Sequence, residues 1–178
     1  MIERAAEVVE KVDGFATDQF RNSDMLPGYE ELGRELLDEL DGRVDAFCAY
    51  VGTAGCFAGV TRALRNALPD VHRVVVEPGE SAVISGRPAG THRIEGGGAG
   101  FWPPLLARED FDEVMAVPEA EAMATARRPR GGLLCGPSTG ANIAAALELA
   151  RRLGTGARVA TVNVDSGLKY LAGDLHAA

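Results

Sequence analysis

The positions most suited to chemistry lie at Gly52-Thr53-Ala54-Gly55-Cys56. These five small residues follow the apolar run from Phe47 to Val51 and precede Phe57, Val60, Leu64 and Leu68, which recur at helical spacing. A loop of almost no side chains between a strand and a helix turns backbone N–H groups outward at a helix N-terminus, where the helix dipole adds partial positive charge. Small side chains let a phosphate reach that backbone. Thr53 and Cys56 would add a hydroxyl and a thiol. The spacing is not that of a nucleotide P-loop, because no Gly-Lys-Ser/Thr follows, and G-x-G-x-x-G is absent. A tight turn that needs small residues only for packing accounts for the loop equally well.

Two further segments carry usable groups. Gly136-Pro137-Ser138-Thr139-Gly140 places two hydroxyls just before a helix. Taken alone they read as helix caps; the alternative is a hydroxyl facing a ligand across the strand ends. Gly96, Gly97, Gly98 and Gly100 read as a flexible connector or as backbone lining the mouth of a pocket. Cys48, Cys56 and Cys135 are odd in number and lack CxxC spacing, so neither a disulfide framework nor a metal site is indicated. Cys56 at a helix N-terminus is a candidate for a lowered pKa, against the plainer reading of a small inert residue. Cys48 and Cys135 read as core, and His72 and His92 as surface residues.

The elements that must position these groups follow from periodicity. Residues 1–12 form an amphipathic helix with Ile2, Ala5, Ala6, Val9 and Val12 on one face. Residues 14–20 are a short strand candidate, residues 21–28 a loop, and residues 29–42 a helix. Apolar strands are expected at 43–52, 71–79, 111–117, 131–136 and 157–165. Helices fall between them at 57–68, 118–128 and 141–153. Residues 80–106 are rich in Gly and Pro, and loops that long are usually functional or disordered. Alternating strands and helices with continuously apolar strands mean an α/β fold with a mainly parallel sheet and helices on both faces. Ligands in such sheets bind beyond the carboxyl ends of the strands, here the loops after Val51, Val76, Cys135 and Val164.

Lys+Arg of 18 against Asp+Glu of 26 gives a net charge of -8. That balance argues against nucleic acid or a membrane surface as the main partner. No apolar stretch is long enough to span a bilayer. The amphipathic start is not a signal peptide, and unpaired cysteines fit a reducing cytoplasm.

Taken together, the motifs resemble the cysteine synthase family, pyridoxal-phosphate enzymes of the tryptophan-synthase-β fold type (fold type II), and its cystathionine β-synthase relatives. The family's GTGGT phosphate loop is similar to Gly52-Thr53-Ala54-Gly55-Cys56. Its VEP is Val76-Glu77-Pro78, its GIGAGF is Gly96-Gly97-Gly98-Ala99-Gly100-Phe101, and its GxSSGA is Gly136-Pro137-Ser138-Thr139-Gly140-Ala141. Asp18-Gln19-Phe20 and the stretch from Asp165 to Leu171 also look like this family. The resemblance covers nearly the whole chain.

The resemblance implies that Gly52, Thr53, Ala54, Gly55 and Cys56 hold the phosphate of pyridoxal phosphate through backbone N–H groups, and that Ser138 bonds the pyridine nitrogen. A hydroxyl there, rather than a carboxylate, leaves that nitrogen largely unprotonated, which suits β-elimination and replacement. Serine or O-acetylserine would be the small-molecule substrate, and cysteine or cystathionine the product. Two positions depart from the family. Cys56 stands where threonine donates to the phosphate, and a thiol is a weak donor. Ala54 replaces a glycine, which tests whether that position needs a positive φ.

The family's Schiff-base lysine lies in an SxKDR-like stretch, and its substrate-carboxylate loop reads SGNTG. Neither occurs here, and the two lysines, Lys11 and Lys169, match neither place. No catalytic residue is therefore expected in this chain, which resembles the C-terminal, large-domain portion as a single α/β domain over residues 1–178. Alone it is expected to be inactive, and to act as a homo-oligomer or with the missing N-terminal portion. A non-enzymatic binding or interaction fragment of the same fold is the alternative. A nucleotide-binding domain using Glu77 is a weaker one. Pro129 is expected to end its helix early, within a connection shorter than the family's.

Overall fold

A computed structural model describes residues 2–128, 132–173 and Leu175 of the chain. Its centre is β1 (Ala46–Tyr50), buried along its whole length. A strand with no wet side must be covered on both faces, and its alternating side chains divide the core in two. Phe47, Ala49 and Val51 join Val75, Phe57, Val60 and Leu64 on one face. Ala46, Cys48 and Tyr50 join Val74, Val76, Ala141, Ala145 and Leu149 on the other.

Three strands complete a parallel sheet in the order β3-β2-β1-β4. β2 (His72–Pro78) pairs with β1 from Ala46↔His72 to Tyr50↔Val76. β3 (Glu113–Val117) continues outward from β2, and β4 (Val159–Thr161) pairs with the other side of β1 from Ala46↔Val159 to Cys48↔Thr161. The helix α3 (Gly55–Ala67) covers the first face, with α2 (Leu26–Glu39) packed outside it. Glycines make that crossing close: a Cβ on Gly33 would come within 2.7 Å of the Ala63 Cβ and 2.8 Å of the Val60 carbonyl. α4 (Glu119–Arg127) and α5 (Pro137–Leu153) cover the second face. The expected α/β architecture, a mainly parallel sheet with helices on both faces, is thus the observed one. The helix α1 (Ile2–Val12) lies at the start of the chain.

Several local expectations are corrected. Residues 14–20 form no strand; they are irregular and largely exposed, and the left-handed backbone of Asp13 (φ 49°) and Asp18 (φ 38°) breaks any extended run. α2 begins at Leu26, three residues early, because Pro27 sits in its first turn, where a fixed φ and a missing N–H cost nothing. Of the strand expected at 131–136, the described residues 132–136 keep one antiparallel bridge, Cys135↔Ser166, and Leu133 and Leu134 are left exposed rather than packed against the sheet. Gly131 and Pro129 lie outside the described residues. α5 starts at Pro137, so Ser138 and Thr139 belong to its first turn rather than to a loop before it. The last strand spans three residues instead of nine. Cys48 and Cys135 are buried as expected.

Candidate functional site

The chain runs outward from β1 to β2 and β3, then returns to place β4 on β1's opposite side. Loops leaving β1 and β4 therefore diverge, and such a switch point opens a crevice at the carboxyl ends of the strands. Asn142 of α5, fully buried, holds it open. Its Oδ1 accepts the Tyr50 N–H at 2.5 Å, and its Nδ2 donates to the Val162 carbonyl at 2.8 Å. Both backbone groups lie just past the β1–β4 ladder, which ends at Cys48↔Thr161.

Above this wedge lies a cavity of about 830 Å³. Gly52, Thr53, Ala54, Cys56 and Ser138 all line it, and Gly55 stands between them in the first turn of α3. The loop after β1 is shaped by backbone rather than side chains. Ala54 takes the left-handed conformation at φ 72° as the residue that caps α3. So this position does need a positive φ, and alanine bears a strain that glycine would avoid. A Cβ on Gly52 would collide with the Gly96 carbonyl. Gly55 N–H is taken by the Thr53 hydroxyl at 3.3 Å. The N–H groups of Thr53, Ala54 and Cys56 meet no acceptor among the described residues, and the first turn of α3 carries no acidic residue. These are the attributes of an anion cup.

Burial pushes the Cys56 thiol up to about 11. The shift runs opposite to the lowered pKa considered from its helix position, and its cause is desolvation, which favours the neutral thiol. Cys48 is likewise pushed up to about 12 by burial.

Ser138 reaches the cavity from the first turn of α5, where Asp165 anchors the backbone. The Asp165 carboxylate accepts the Thr139 N–H at 3.0 Å, the Thr139 hydroxyl at 2.5 Å, the Ser138 N–H at 3.4 Å and the Tyr170 hydroxyl at 3.0 Å. Burial pushes its pKa up, but these hydrogen bonds outweigh burial and hold it below the ordinary value. The helix cap expected of a Ser or Thr side chain is supplied instead by this aspartate.

The glycine loop forms the opposite wall. Gly98 N–H donates to the Val51 carbonyl at 3.2 Å, and the Tyr50 hydroxyl donates to the Ile94 carbonyl at 3.1 Å. His92, read from sequence as a surface residue, is half-buried with its Nε2 3.1 Å from the Gly98 carbonyl; its Nδ1 is buried without a partner, which fits a proton on Nε2. His72 is also half-buried, 3.0 Å from Glu113. Phe20 stacks at 5.2 Å on Phe101, closing the rim between the loop before α2 and the glycine loop. Lys169, which matches no lysine motif of the family, lines the cavity and pairs with Glu95 at 2.9 Å. That hydrogen bond raises its pKa, so the amine stays charged. Glu77 is buried and its carboxylate is consumed by the N–H groups of Ile84 and Ser85, which leaves nothing for a ribose. Among the described residues no group of three acidic, His or Cys side chains could hold a metal, and no helix is long and apolar enough to cross a membrane.

Sequence reasoning assigned no role to Asp165, Asn142 or Tyr50. A signal for Asn142 was available: it is the polar residue in the apolar stripe of Ala141, Ala144, Ala145 and Leu149. For Asp165 the signal was its place at the start of the family-like stretch to Leu171, which does not show that the fold brings it to α5 from 26 residues beyond Thr139.

Comparison with known proteins agrees with the architecture. Residues 1–165 match the model of the pyridoxal-phosphate dependent enzyme family. Cysteine synthase of Staphylococcus aureus (strain Mu50) is 39% identical over 180 residues, covering 98% of this chain and 58% of that protein. A probable cysteine synthase of Bacillus subtilis is 35% identical over 182 residues, again covering 98% of this chain and 58% of that protein. The crystal structure of O-acetylserine dependent cystathionine beta-synthase from Helicobacter pylori superposes with a TM-score of 0.93 at 33% identity, over 99% of this chain and 58% of that one. O-acetyl serine sulfhydrylase isoform 3 of Entamoeba histolytica gives 0.91 at 34% identity, over 98% and 53%. The chain spans about 58% of the length of the curated relatives it matches, and it belongs to the pyridoxal-phosphate-dependent enzyme family, on the cysteine synthase-like branch of fold type II.

Proposed function

We propose that this chain is the cofactor-binding portion of a cysteine synthase-like enzyme whose complete form performs β-replacement on serine or O-acetylserine. The observation that carries the reading is the meeting of α3's open amide cup and Ser138 on one cavity. The residues suit pyridoxal phosphate. Gly52 to Cys56 would hold the phosphate through backbone N–H groups, and Ser138 would face the ring nitrogen with a neutral hydroxyl. Pyridoxal phosphate, when bound, supplies an electron sink for negative charge at the substrate α-carbon. The chain's own share is to bind, orient and enclose. It offers no neutral amine: among the described residues the one lysine on the cavity is Lys169, held charged by Glu95. Residues 1–178 would then form one α/β unit that needs the lysine-bearing portion of the enzyme, or a chain carrying it, for turnover.

The test has two arms. In equilibrium dialysis the purified chain should bind pyridoxal phosphate reversibly, leaving no label after borohydride. In a β-replacement assay with O-acetylserine and sulfide it should show no turnover. Turnover by the purified chain would refute the incompleteness, and absence of binding would refute the cup.

A second reading, an interaction fragment without catalysis, is favoured by one observation. α1 presents Val8 and Val12, 42% and 65% exposed, and Phe15 just beyond it is 87% exposed. Apolar surface of this kind seeks cover. Size-exclusion chromatography should show self-association that Val12→Glu with Phe15→Ser abolishes; a monomer at high concentration would remove this reading.

A further inference from the structure

All three tyrosines of the chain, Tyr29, Tyr50 and Tyr170, line the cavity of about 830 Å³. Such side chains have an apolar body that packs and a polar tip that seeks a partner. Two of the tips are spent inside the fold. Tyr50 donates to the Ile94 carbonyl at 3.1 Å, and Tyr170 to the Asp165 carboxylate at 3.0 Å. Tyr29 differs. It is half-buried near the start of α2, and its hydroxyl has no hydrogen-bond partner among the described residues. Its ring is nonetheless firmly placed, because α3 makes room for it. A Cβ on Gly59 would come within 2.4 Å of the Tyr29 Cβ, so glycine is what lets the two helices cross this closely there. A Cβ on Gly55 would stand 3.5 Å from Cε2 of the ring, an ordinary contact, which puts the ring edge beside the loop of residues 52–56.

We infer that Tyr29 is a further ligand-binding residue of the cavity: its hydroxyl donates a hydrogen bond to an oxygen of bound pyridoxal phosphate. This rests on the cofactor reading proposed above. The chemistry of the pair fits. A phenol hydroxyl is a good donor, and the cofactor offers oxygen acceptors on its ring and on its phosphate. Next to Gly55, Cys56 offers only a thiol, a weak donor, so Tyr29 supplies the stronger side-chain donor at that part of the wall. Because packing already holds the ring, engaging its hydroxyl costs little further ordering.

The experiment is equilibrium dialysis of the full chain against pyridoxal phosphate, read together with the melting temperature of the ligand-free chain. Tyr29→Phe keeps the ring and its packing and removes the hydroxyl alone. Its dissociation constant should rise about three- to tenfold, the worth of one neutral hydrogen bond. The ligand-free melting temperature should stay that of wild type, because the fold loses no internal bond. A Tyr29→Phe chain that binds as tightly as wild type overturns the inference. So does one whose weaker binding comes with a lowered ligand-free melting temperature, since the hydroxyl would then serve the fold. A wild type that binds no pyridoxal phosphate overturns the cofactor reading instead.

Discussion

Asn142→Leu tests whether the crevice at the end of β1 is held by hydrogen bonds or merely by shape. Leucine fills nearly the same space and belongs with Ala141, Ala145 and Leu149 around it. What it cannot do is accept from the Tyr50 N–H or donate to the Val162 carbonyl. Leaving a buried backbone group unpaired costs about 1–3 kcal/mol. Two such groups give about 2–6 kcal/mol, and apolar burial of leucine offsets about 1 kcal/mol of that, leaving about 1–5 kcal/mol. For a chain of this size the loss lowers the melting temperature by about 2–20 °C. Urea unfolding should show it as a lower midpoint at unchanged slope, because the surface exposed on unfolding is the same. Exchange of the Tyr50 amide should accelerate more than that of Ala49, whose N–H lies inside the ladder. Asn142→Asp separates the two bonds. It keeps the acceptor for Tyr50 and buries a carboxyl, which raises that group's pKa. The folded state then holds its proton longer than the unfolded one, so the variant loses stability as pH rises through the ordinary aspartate pKa, about 3.9. A loss under about 1 kcal/mol in Asn142→Leu, with Tyr50 still protected, would refute the wedge, since the smallest cost of the two orphaned groups, less the leucine offset, is already about 1 kcal/mol.

Other outcomes are equally open to measurement. Gly52→Ala should weaken phosphate binding by about tenfold or more, about 1.4 kcal/mol, because its Cβ meets the Gly96 carbonyl and parts the cup from the glycine loop; unchanged shifts at residues 53–56 on titration would contradict this. Asp165 is held below the ordinary carboxylate value, so its stabilisation is complete above the unfolded pKa of about 3.9 and fades as pH falls below it. Asp165→Asn should flatten that acid limb of stability, and an unaltered limb would show that other carboxylates carry it. Cys56, with its thiol pushed up to about 11, should alkylate at neutral pH about a hundredfold more slowly in the folded chain than in urea; comparable rates would return it to the list of reactive thiols.

The fold was legible where one physical signal dominated. Phe47 to Tyr50 and Val74 to Val76 are continuously apolar, and only a strand buried on both faces wants that pattern. At residues 52–56 the strand–helix turn itself was legible, while the same small residues serve a phosphate or close packing equally well, so its use was not. What failed were elements decided by distant partners. Residues 132–136 are apolar enough for a strand, yet Cys135 meets only Ser166, a partner 31 residues on that the local sequence does not show. Ser138 and Thr139 carry the signature of a cap, yet an aspartate 26 residues past Thr139 performs it. The place of Lys169 was not legible because nothing local shows that Gly167–Tyr170 folds back over the cavity.

A net charge of -8 is an objection to the proposed site, which would host a doubly charged phosphate. The objection fails on distance. At physiological ionic strength charges are screened over about 8 Å, so a bound anion feels the nearest groups and not the sum. On the cavity wall those include two carboxylates, Glu95 and Asp165, and each is already engaged. Glu95 is neutralised by Lys169, and Asp165 spends its charge on the α5 end. What remains at α3 is a set of N–H dipoles facing no anion of the chain's own. On the proposed reading, selection would therefore work by where negative charge is already satisfied rather than by an excess of positive charge. A phosphate site here would then need neither lysine nor arginine, and with the weak thiol donor of Cys56 the binding would fall to the backbone N–H groups.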